Sequence, residues 1–111
     1  MSFEPRDYVR HILTETEYLL RASEGISAEQ FLADETLRRA FVRSLEIIGE
    51  AAKKLPSEFR AAHPHVEWHS MARMRDRLIH GYFGVDYELV WGVVRINIPD
   101  LHRDLRQILS E

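Results

Sequence analysis

Apolar residues recur every three or four positions along most of the chain, and no segment alternates apolar and polar residues over a useful length. This spacing is typical of amphipathic helices. Residues 4–22 carry a first apolar stripe, formed by Tyr8, Val9, Ile12, Leu13, Thr16, Leu19 and Leu20. Residues 35–54, together with Leu55 directly after them, carry a second stripe. It is formed by Leu37, Phe41, Ser44, Leu45, Ile48, Ala52 and Leu55. Charged side chains are predicted to cover the opposite face of this second helix, namely Arg38, Arg39, Arg43, Glu46, Glu50 and Lys53.

Two further helices are predicted in the second half of the chain. The first runs from about Glu67 to Ile79 and directs Trp68, Met71, Met74 and Leu78 inward. The second follows Asp86, and its apolar stripe consists of Leu89, Val90, Val93, Val94, Ile98, Leu101, Leu105 and Ile108. Because proline has no N–H to donate to the preceding turn, Pro99 within this stripe predicts a kink or a short interruption.

Capping and helix-breaking residues mark the boundaries between these helices. Ser2 is a candidate N-cap of the first helix, with Pro5 in its first turn, and Gly25 ends it. Ser27 and Gln30 form a capping box that opens a short helix to about Leu32. Asp34 is predicted to cap the helix at 35–54, and Pro56 to end it. A helical turn at 57–62 and a connector at 63–65 follow. Gly81 and Gly84 predict a break between the last two long helices.

These patterns predict an all-α, up-and-down bundle of four main helices with one or two short extra helices. No internal repeat or linker is visible, so residues 1–111 are expected to form one domain. The absence of cysteine excludes a disulfide framework and a thiolate metal site. No apolar run is long enough to span a membrane and the first residues do not resemble a signal peptide, so the protein is expected in the cytoplasm.

The net charge of −3 argues against a protein that coats nucleic acids generally, but leaves room for a local basic pocket. The second half of the chain is the place to expect such a pocket, because five arginines fall between residues 60 and 95, namely Arg60, Arg73, Arg75, Arg77 and Arg95.

The stretch RDRLIHGY, residues 75–82, concentrates side chains able to handle phosphate. Arg75 and His80 are five positions apart, which separates them by about 140° on an unbroken helix. They converge only if the helix ends near His80 or if they face a second copy of the chain. Spacing alone therefore favours an ordinary solvated helix end and leaves a phosphate site as the alternative.

Other chemically suggestive residues give weaker signals. His65 and His69 are four apart, but no further ligand lies at a convincing spacing, so no metal site or cofactor is predicted. His11 and His102 are expected to be surface or hydrogen-bonded histidines, and Trp68 and Trp91 to be core or interface anchors. There is no glycine-rich phosphate loop, pair of catalytic carboxylates or nucleophile elbow.

Residues 68–91, WHSMARMRDRLIHGYFGVDYELVW, resemble the HepT-like toxins of the HEPN superfamily. The mark of that branch is Arg-x4-His-x-Tyr, which reads here as Arg75, His80 and Tyr82. The resemblance also includes Trp68, Trp91 and the run SLEIIGEAAKKLP, and it extends over most of the chain. The residue after the motif arginine is most often Asn in this branch and is Asp76 here.

The resemblance implies a HEPN-like homodimer that acts as a metal-independent endoribonuclease, the toxin of a type VII HepT/MntA toxin–antitoxin pair. Its site would be shared by two facing motifs, with RNA (tRNA or mRNA) as the substrate. Arg75, His80 and Asp76 would be catalytic, Arg73 and Arg77 would help to bind RNA, and the product would end in a 2′,3′-cyclic phosphate. An MntA-type nucleotidyltransferase would be the antitoxin and would add AMP to Tyr82.

Two alternatives remain beside this interpretation. One is a non-catalytic HEPN-type helical partner that binds or regulates a minimal nucleotidyltransferase. The other is an all-α structural or interaction protein in which the motif has no function. Asp76 bears on the choice, because its carboxylate can orient His80 or Arg75 but can also neutralise Arg75.

Overall fold

The computed structural model describes residues 4–111, which contain helices and no strand. Four long helices form a bundle: α1 (Pro5–Ser23), α3 (Glu35–Lys54), α5 (Trp68–His80) and α7 (Ile98–Leu109). Short elements connect them: α2 (Ala28–Ala33), α4 (Ser57–Ala62), a 3-10 turn (Tyr82–Gly84), α6 (Tyr87–Gly92) and a π-helix (Val93–Asn97). The predicted all-α bundle of four main helices is confirmed. No helix within residues 4–111 combines the length and apolarity that crossing a membrane requires.

The predicted caps fix most of these boundaries. The Ser27 hydroxyl accepts from the Gln30 N–H at 3.1 Å, and Asp34 and Asp86 accept in the same way from Leu37 at 3.0 Å and Leu89 at 3.1 Å. The cap expected at Ser2 lies outside the described residues; α1 begins at Pro5, and Glu4 occupies its N-cap position. Gly25 turns the chain after α1 with φ +77°, a conformation that side chains with a Cβ rarely adopt.

The core lies where α1, α3 and α7 meet the short helices. Phe31 of α2 is fully buried, with its ring 4.8 Å from that of Phe41 on α3 and stacked 5.2 Å from that of Trp91 on α6. Offset ring pairs of this kind add to the free energy gained by burying their area. Trp68 is also buried, and its indole N–H donates to the His63 carbonyl at 3.0 Å. Both tryptophans are therefore packing residues, as predicted.

The expected interruption near Pro99 is a π-helix. The Ile98 N–H donates to the Val93 carbonyl, five residues back, and α7 then begins with Pro99 in its first turn. A wider turn at this point places the proline where a missing N–H costs nothing. One assignment in this region was wrong: Leu89, predicted in the buried stripe, is 38% exposed.

Helix α5 packs mainly on α3, and Gly49 permits the close approach of the two helices. A Cβ placed on Gly49 would collide with the Cβ of Arg75 and lie 2.6 Å from the Met71 carbonyl oxygen. Only a residue without a side chain fits at this crossing. The fold therefore fixes the base of the Arg75 side chain against α3.

Candidate active site

The motif helix α5 ends at His80, as the sequence predicted. The Gly81 N–H closes the last turn by donating to the Arg77 carbonyl at 2.9 Å, and the chain then forms the 3-10 turn Tyr82–Gly84. A Cβ on Gly81 would lie 2.9 Å from that same carbonyl oxygen, closer than real Cβ contacts allow. His80 and Tyr82 consequently lie at a sharp helix end, on either side of a glycine.

Arg75 extends along α3 and is held by two carboxylates. Its Nη2 lies 3.0 Å from Oε2 of Glu50, and its Nη1 donates to Oδ1 of Asp76 at 3.1 Å. The side chain is 24% exposed, and its Nε is buried without a hydrogen-bond partner in the described part of the chain. The guanidinium is thus fixed in position while part of it faces solvent.

Asp76 completes the cluster by bridging Arg75 to α3. The Lys53 ammonium donates to the same Oδ1 at 3.1 Å. The hydrogen bond from Lys53, followed by that from Arg75, holds the pKa of Asp76 below its ordinary value of 3.8. Asp76 is therefore ionised at neutral pH, and the carboxylates of Asp76 and Glu50 offset the charges of Arg75 and Lys53. The side chains that Asp76 contacts are those of Arg75 and Lys53, and no hydrogen bond between the Asp76 and His80 side chains is present among residues 4–111.

His80 and Tyr82 are presented to solvent. The His80 side chain is exposed and forms no hydrogen bond or ion pair with any other described residue, and Tyr82 is 79% exposed. The ring of Phe83, 84% exposed, meets the Tyr82 ring edge-on at 5.6 Å. One chain thus holds Arg75 against α3 and leaves His80 free, without a hydrogen bond between them.

Arg73 and Arg77 lie on the border of a different feature. Both are exposed and line a groove of about 880 Å³ beside α5, whose floor includes Met74, Ile98 and Leu101. Arg75 does not line this groove. Of the other arginines in this half of the chain, Arg95 donates to the Ser23 hydroxyl at 3.3 Å. The basic residues therefore divide between the cluster at Arg75, the groove and packing contacts.

The sequence interpretation assigned no site role to Gly49, Glu50, Lys53 or Phe83. The first three lie in the run SLEIIGEAAKKLP, but Glu50 and Lys53 were predicted only as a solvated helix face. Nothing in their spacing connects them to Arg75 and Asp76, which lie 23 to 26 positions later. The sequence did contain an indication for Phe83. An aromatic residue between Gly81 and Gly84 lies outside the predicted helices, so no apolar helix face is available to bury it.

The weaker candidates have ordinary contacts. His102 Nδ1 lies 3.0 Å from the hydroxyl of buried Thr16, which explains a histidine on the inner side of α7. In the described part of the chain, no three His, Asp or Glu side chains are grouped so as to hold a metal ion.

Comparison with known proteins assigns this chain to a family. A model of the family described as "Ribonuclease HepT-like" matches residues 12–108. The chain belongs to this HepT-like family. It is similar to a "Putative RNase" of Caldanaerobacter subterraneus subsp. tengcongensis, 52% identical over 107 residues and 96% of each chain. It is also similar to a "Probable ribonuclease HepT" of Thermococcus cleftensis, 45% identical over 86% of this chain and 87% of that protein. No solved structure gives a significant match.

The matched segment of this HepT-like chain contains the whole cluster around Arg75 as well as the exposed helix end. The family and its named relatives support ribonuclease activity at the level of the family. The residues available for such chemistry are a fixed guanidinium, an exposed imidazole and two exposed aromatic rings.

Proposed function

We propose that this chain is an endoribonuclease that needs no metal ion and serves as the toxin of a toxin–antitoxin pair. The observation that carries the proposal is the end of α5, where an arginine held by two carboxylates precedes an exposed His80 and Tyr82. The HepT-like family provides the reaction class. Its substrate would be a tRNA or an mRNA in the cytoplasm.

Cleavage would proceed by attack of a ribose 2′-OH on the adjacent phosphorus. The new 2′ O–P bond forms as the bond to the 5′ oxygen breaks, which leaves a 2′,3′-cyclic phosphate and a free 5′-OH. His80 suits the proton transfers, because an imidazole titrates near neutral pH. Arg75 would bind the phosphoryl oxygens through the N–H groups that Glu50 and Asp76 leave unused, and most strongly in the transition state.

A homodimer would supply what one chain lacks. In a single chain, one imidazole must both remove the proton of the 2′-OH and deliver a proton to the leaving oxygen. Two facing motifs would provide two imidazoles, one for each proton transfer. The second copy would also add arginines to a cleft in which each Arg75 is already charge-compensated. Arg73 and Arg77 would contact RNA phosphates outside the reacting centre.

The antitoxin would be a nucleotidyltransferase of the MntA type that transfers AMP to Tyr82. The phenol oxygen attacks the α-phosphorus of ATP, pyrophosphate leaves, and a phosphodiester remains on the ring. The 79% exposure of Tyr82 supports such a reaction, because the hydroxyl is open to a second protein. The added group would exclude RNA by its bulk and negative charge.

The first experiment incubates the purified protein with labelled RNA in the presence of EDTA. We expect cleavage to 2′,3′-cyclic phosphate ends, and loss of cleavage in His80→Ala and Arg75→Ala. His69→Ala is the matched control, because His69 is an exposed histidine on the same helix. Parental rates in both motif variants would refute the catalytic assignment.

The second experiment measures intact mass after co-expression with a neighbouring nucleotidyltransferase. A gain of one or more AMP groups is expected, and it should disappear in Tyr82→Phe but remain in Tyr87→Phe. Light scattering on the purified protein tests the dimer independently, since a monomer at working concentrations would contradict the composite site.

One observation favours a second candidate, a non-catalytic partner of a nucleotidyltransferase. Glu50 and Asp76 offset much of the positive charge around Arg75, which weakens the attraction of this cluster for phosphate. This candidate predicts a stable complex with the nucleotidyltransferase and no RNA cleavage by the free protein.

A further inference from the structure

Glu50 contacts the motif arginine from another helix. Its Oε2 lies 3.0 Å from Arg75 Nη2, and its Oε1 lies 4.0 Å from the ammonium of Lys54 on its own helix. Asp76 holds the other terminal nitrogen, Nη1, at 3.1 Å. Two carboxylates thus fix both ends of the guanidinium, one from α3 and one from α5.

This ion pair contributes too little to the stability of the fold for stabilisation to be its main role. The Glu50 side chain is 46% exposed and that of Arg75 is 24% exposed. Ion pairs at this exposure contribute little to stability, whereas a free arginine side chain samples many rotamers. The main consequence of the pair is therefore that the guanidinium is already ordered before substrate arrives.

The glycine beside Glu50 acts on the same side chain. Gly49 lets α3 approach the Cβ of Arg75, and Glu50 binds the guanidinium at its tip. Each terminal nitrogen of arginine carries two N–H groups, and Asp76 accepts from one on Nη1, so N–H groups remain on both nitrogens for an anion. Consecutive residues of α3 thus fix both the base and the tip of Arg75.

We propose that Glu50 is a positioning residue, which acts on the reaction by holding the Arg75 guanidinium where it meets the phosphoryl oxygens. The proposal rests on the ribonuclease function proposed above. Glu50 touches no reacting atom and contributes through Arg75. The negative charge of Glu50 also offsets the positive charge of Arg75. The pair therefore lowers the affinity for substrate but places the guanidinium correctly for the transition state.

The test compares Glu50→Gln and Glu50→Ala with the parental protein in steady-state RNA cleavage. We expect kcat to fall about tenfold or more in Glu50→Ala and less in Glu50→Gln, since misplacement by about 1 Å can cost a hundredfold. KM should stay level or fall, because the site has lost a negative charge. Lys54→Gln removes the other partner of Glu50, leaves the pair with Arg75 intact, and should change kcat less than twofold.

A second measurement separates positioning from folding. The Arg75 Nε–Hε resonance should be sharp in the parental protein and in Lys54→Gln, and broadened by exchange in Glu50→Ala. In an Arg75→Gln background, Glu50→Gln should produce no further loss of the residual single-turnover rate. A fall in kcat that persists in that background, or that follows a matching loss of Tm, would assign Glu50 a structural role and overturn the proposal.

The outcomes also separate this inference from the proposed function. An active parental protein with unchanged kcat in both Glu50 variants overturns the inference alone. A parental protein that cleaves no RNA overturns the ribonuclease function, and with it any role of Glu50 in the reaction.

Discussion

Gly49 on α3 lies directly against the Cβ of Arg75 on α5, so close that a methyl group at Gly49 would overlap the arginine side chain. The position of the motif arginine therefore depends on a residue 26 positions earlier that has no chemistry of its own. Backbone and side-chain contacts at this crossing set the distance between the two helices before any substrate is bound.

Gly49→Ala is expected to destabilise the protein and to displace Arg75. Overpacking a close helix crossing costs about 1–3 kcal/mol, so thermal denaturation should show a Tm lower by several degrees, and RNA cleavage should weaken as well. Gly92→Ala is the matched control: Gly92 has helical φ and ψ of −59° and −44°, and a Cβ added there would meet nothing within 4 Å. That change should leave Tm unchanged or raise it, because alanine restricts the unfolded chain. Equal effects of the two changes would contradict the crowding at Gly49.

Asp76→Asn is expected to tighten RNA binding. The asparagine oxygen can still accept from Arg75 Nη1, but the cluster gains one unit of positive charge. Unit charges about 4 Å apart in water interact by about 1 kcal/mol, which corresponds to roughly fivefold in the Kd of a 2′-O-methyl RNA at low salt. The gain should shrink as salt rises. Glu35→Gln, which removes an exposed carboxylate paired with Arg39 on α3, should change the Kd much less. Weaker binding by Asp76→Asn would show that the charge of Asp76 is needed to order Arg75 for RNA.

The stability of the protein is expected to depend on the ionisation of Asp76 in acid. Hydrogen bonds from Lys53 and then Arg75 lower the pKa of Asp76 in the folded state below the 3.8 of an unperturbed carboxyl. The resulting stabilisation is complete above pH 3.8 and is lost as the pH falls through the folded-state pKa. Urea unfolding of the parental protein and Asp76→Asn should therefore differ at pH 7 and converge below pH 3.8. Lys53→Met should raise the pKa of Asp76 in a carboxyl ¹³C titration; an unchanged titration would contradict the assigned cause.

Phe83→Ala is expected to weaken RNA binding without affecting stability. The ring is 84% exposed at the end of the motif helix, where an unstacked base can lie on it. Stacking of a base on an aromatic side chain is worth about 1–3 kcal/mol, so the Kd should rise at least about fivefold. Ile96→Ala, which removes a 72% exposed apolar side chain from the π-helix, is the control and should leave the Kd unchanged. Loss of dimer with unchanged RNA affinity per dimer would instead assign Phe83 to a protein interface.

The local elements of this protein follow from its sequence because their causes are local. The period of apolar residues, the caps at Ser27, Asp34 and Asp86, and the helix end at Gly81 are read within a few positions of each other. The motif around Arg75, His80 and Tyr82 is equally local, and the resemblance that it carries correctly indicated the HepT-like family. Pro99 predicted an interruption of the helix, but the form of that interruption, a π-helix, depends on how α6 and α7 join.

Only the tertiary structure decided what surrounds Arg75. Glu50 and Lys53 were predicted as part of a solvated helix face, and they became partners of Arg75 and Asp76 because α5 packs on α3. It also assigned Asp76 to Arg75 instead of His80, and separated Arg73 and Arg77 from Arg75. Sequence period fixes which side of a helix is apolar, but charged residues gain partners only where another helix crosses. That crossing is set here by the missing side chain of Gly49.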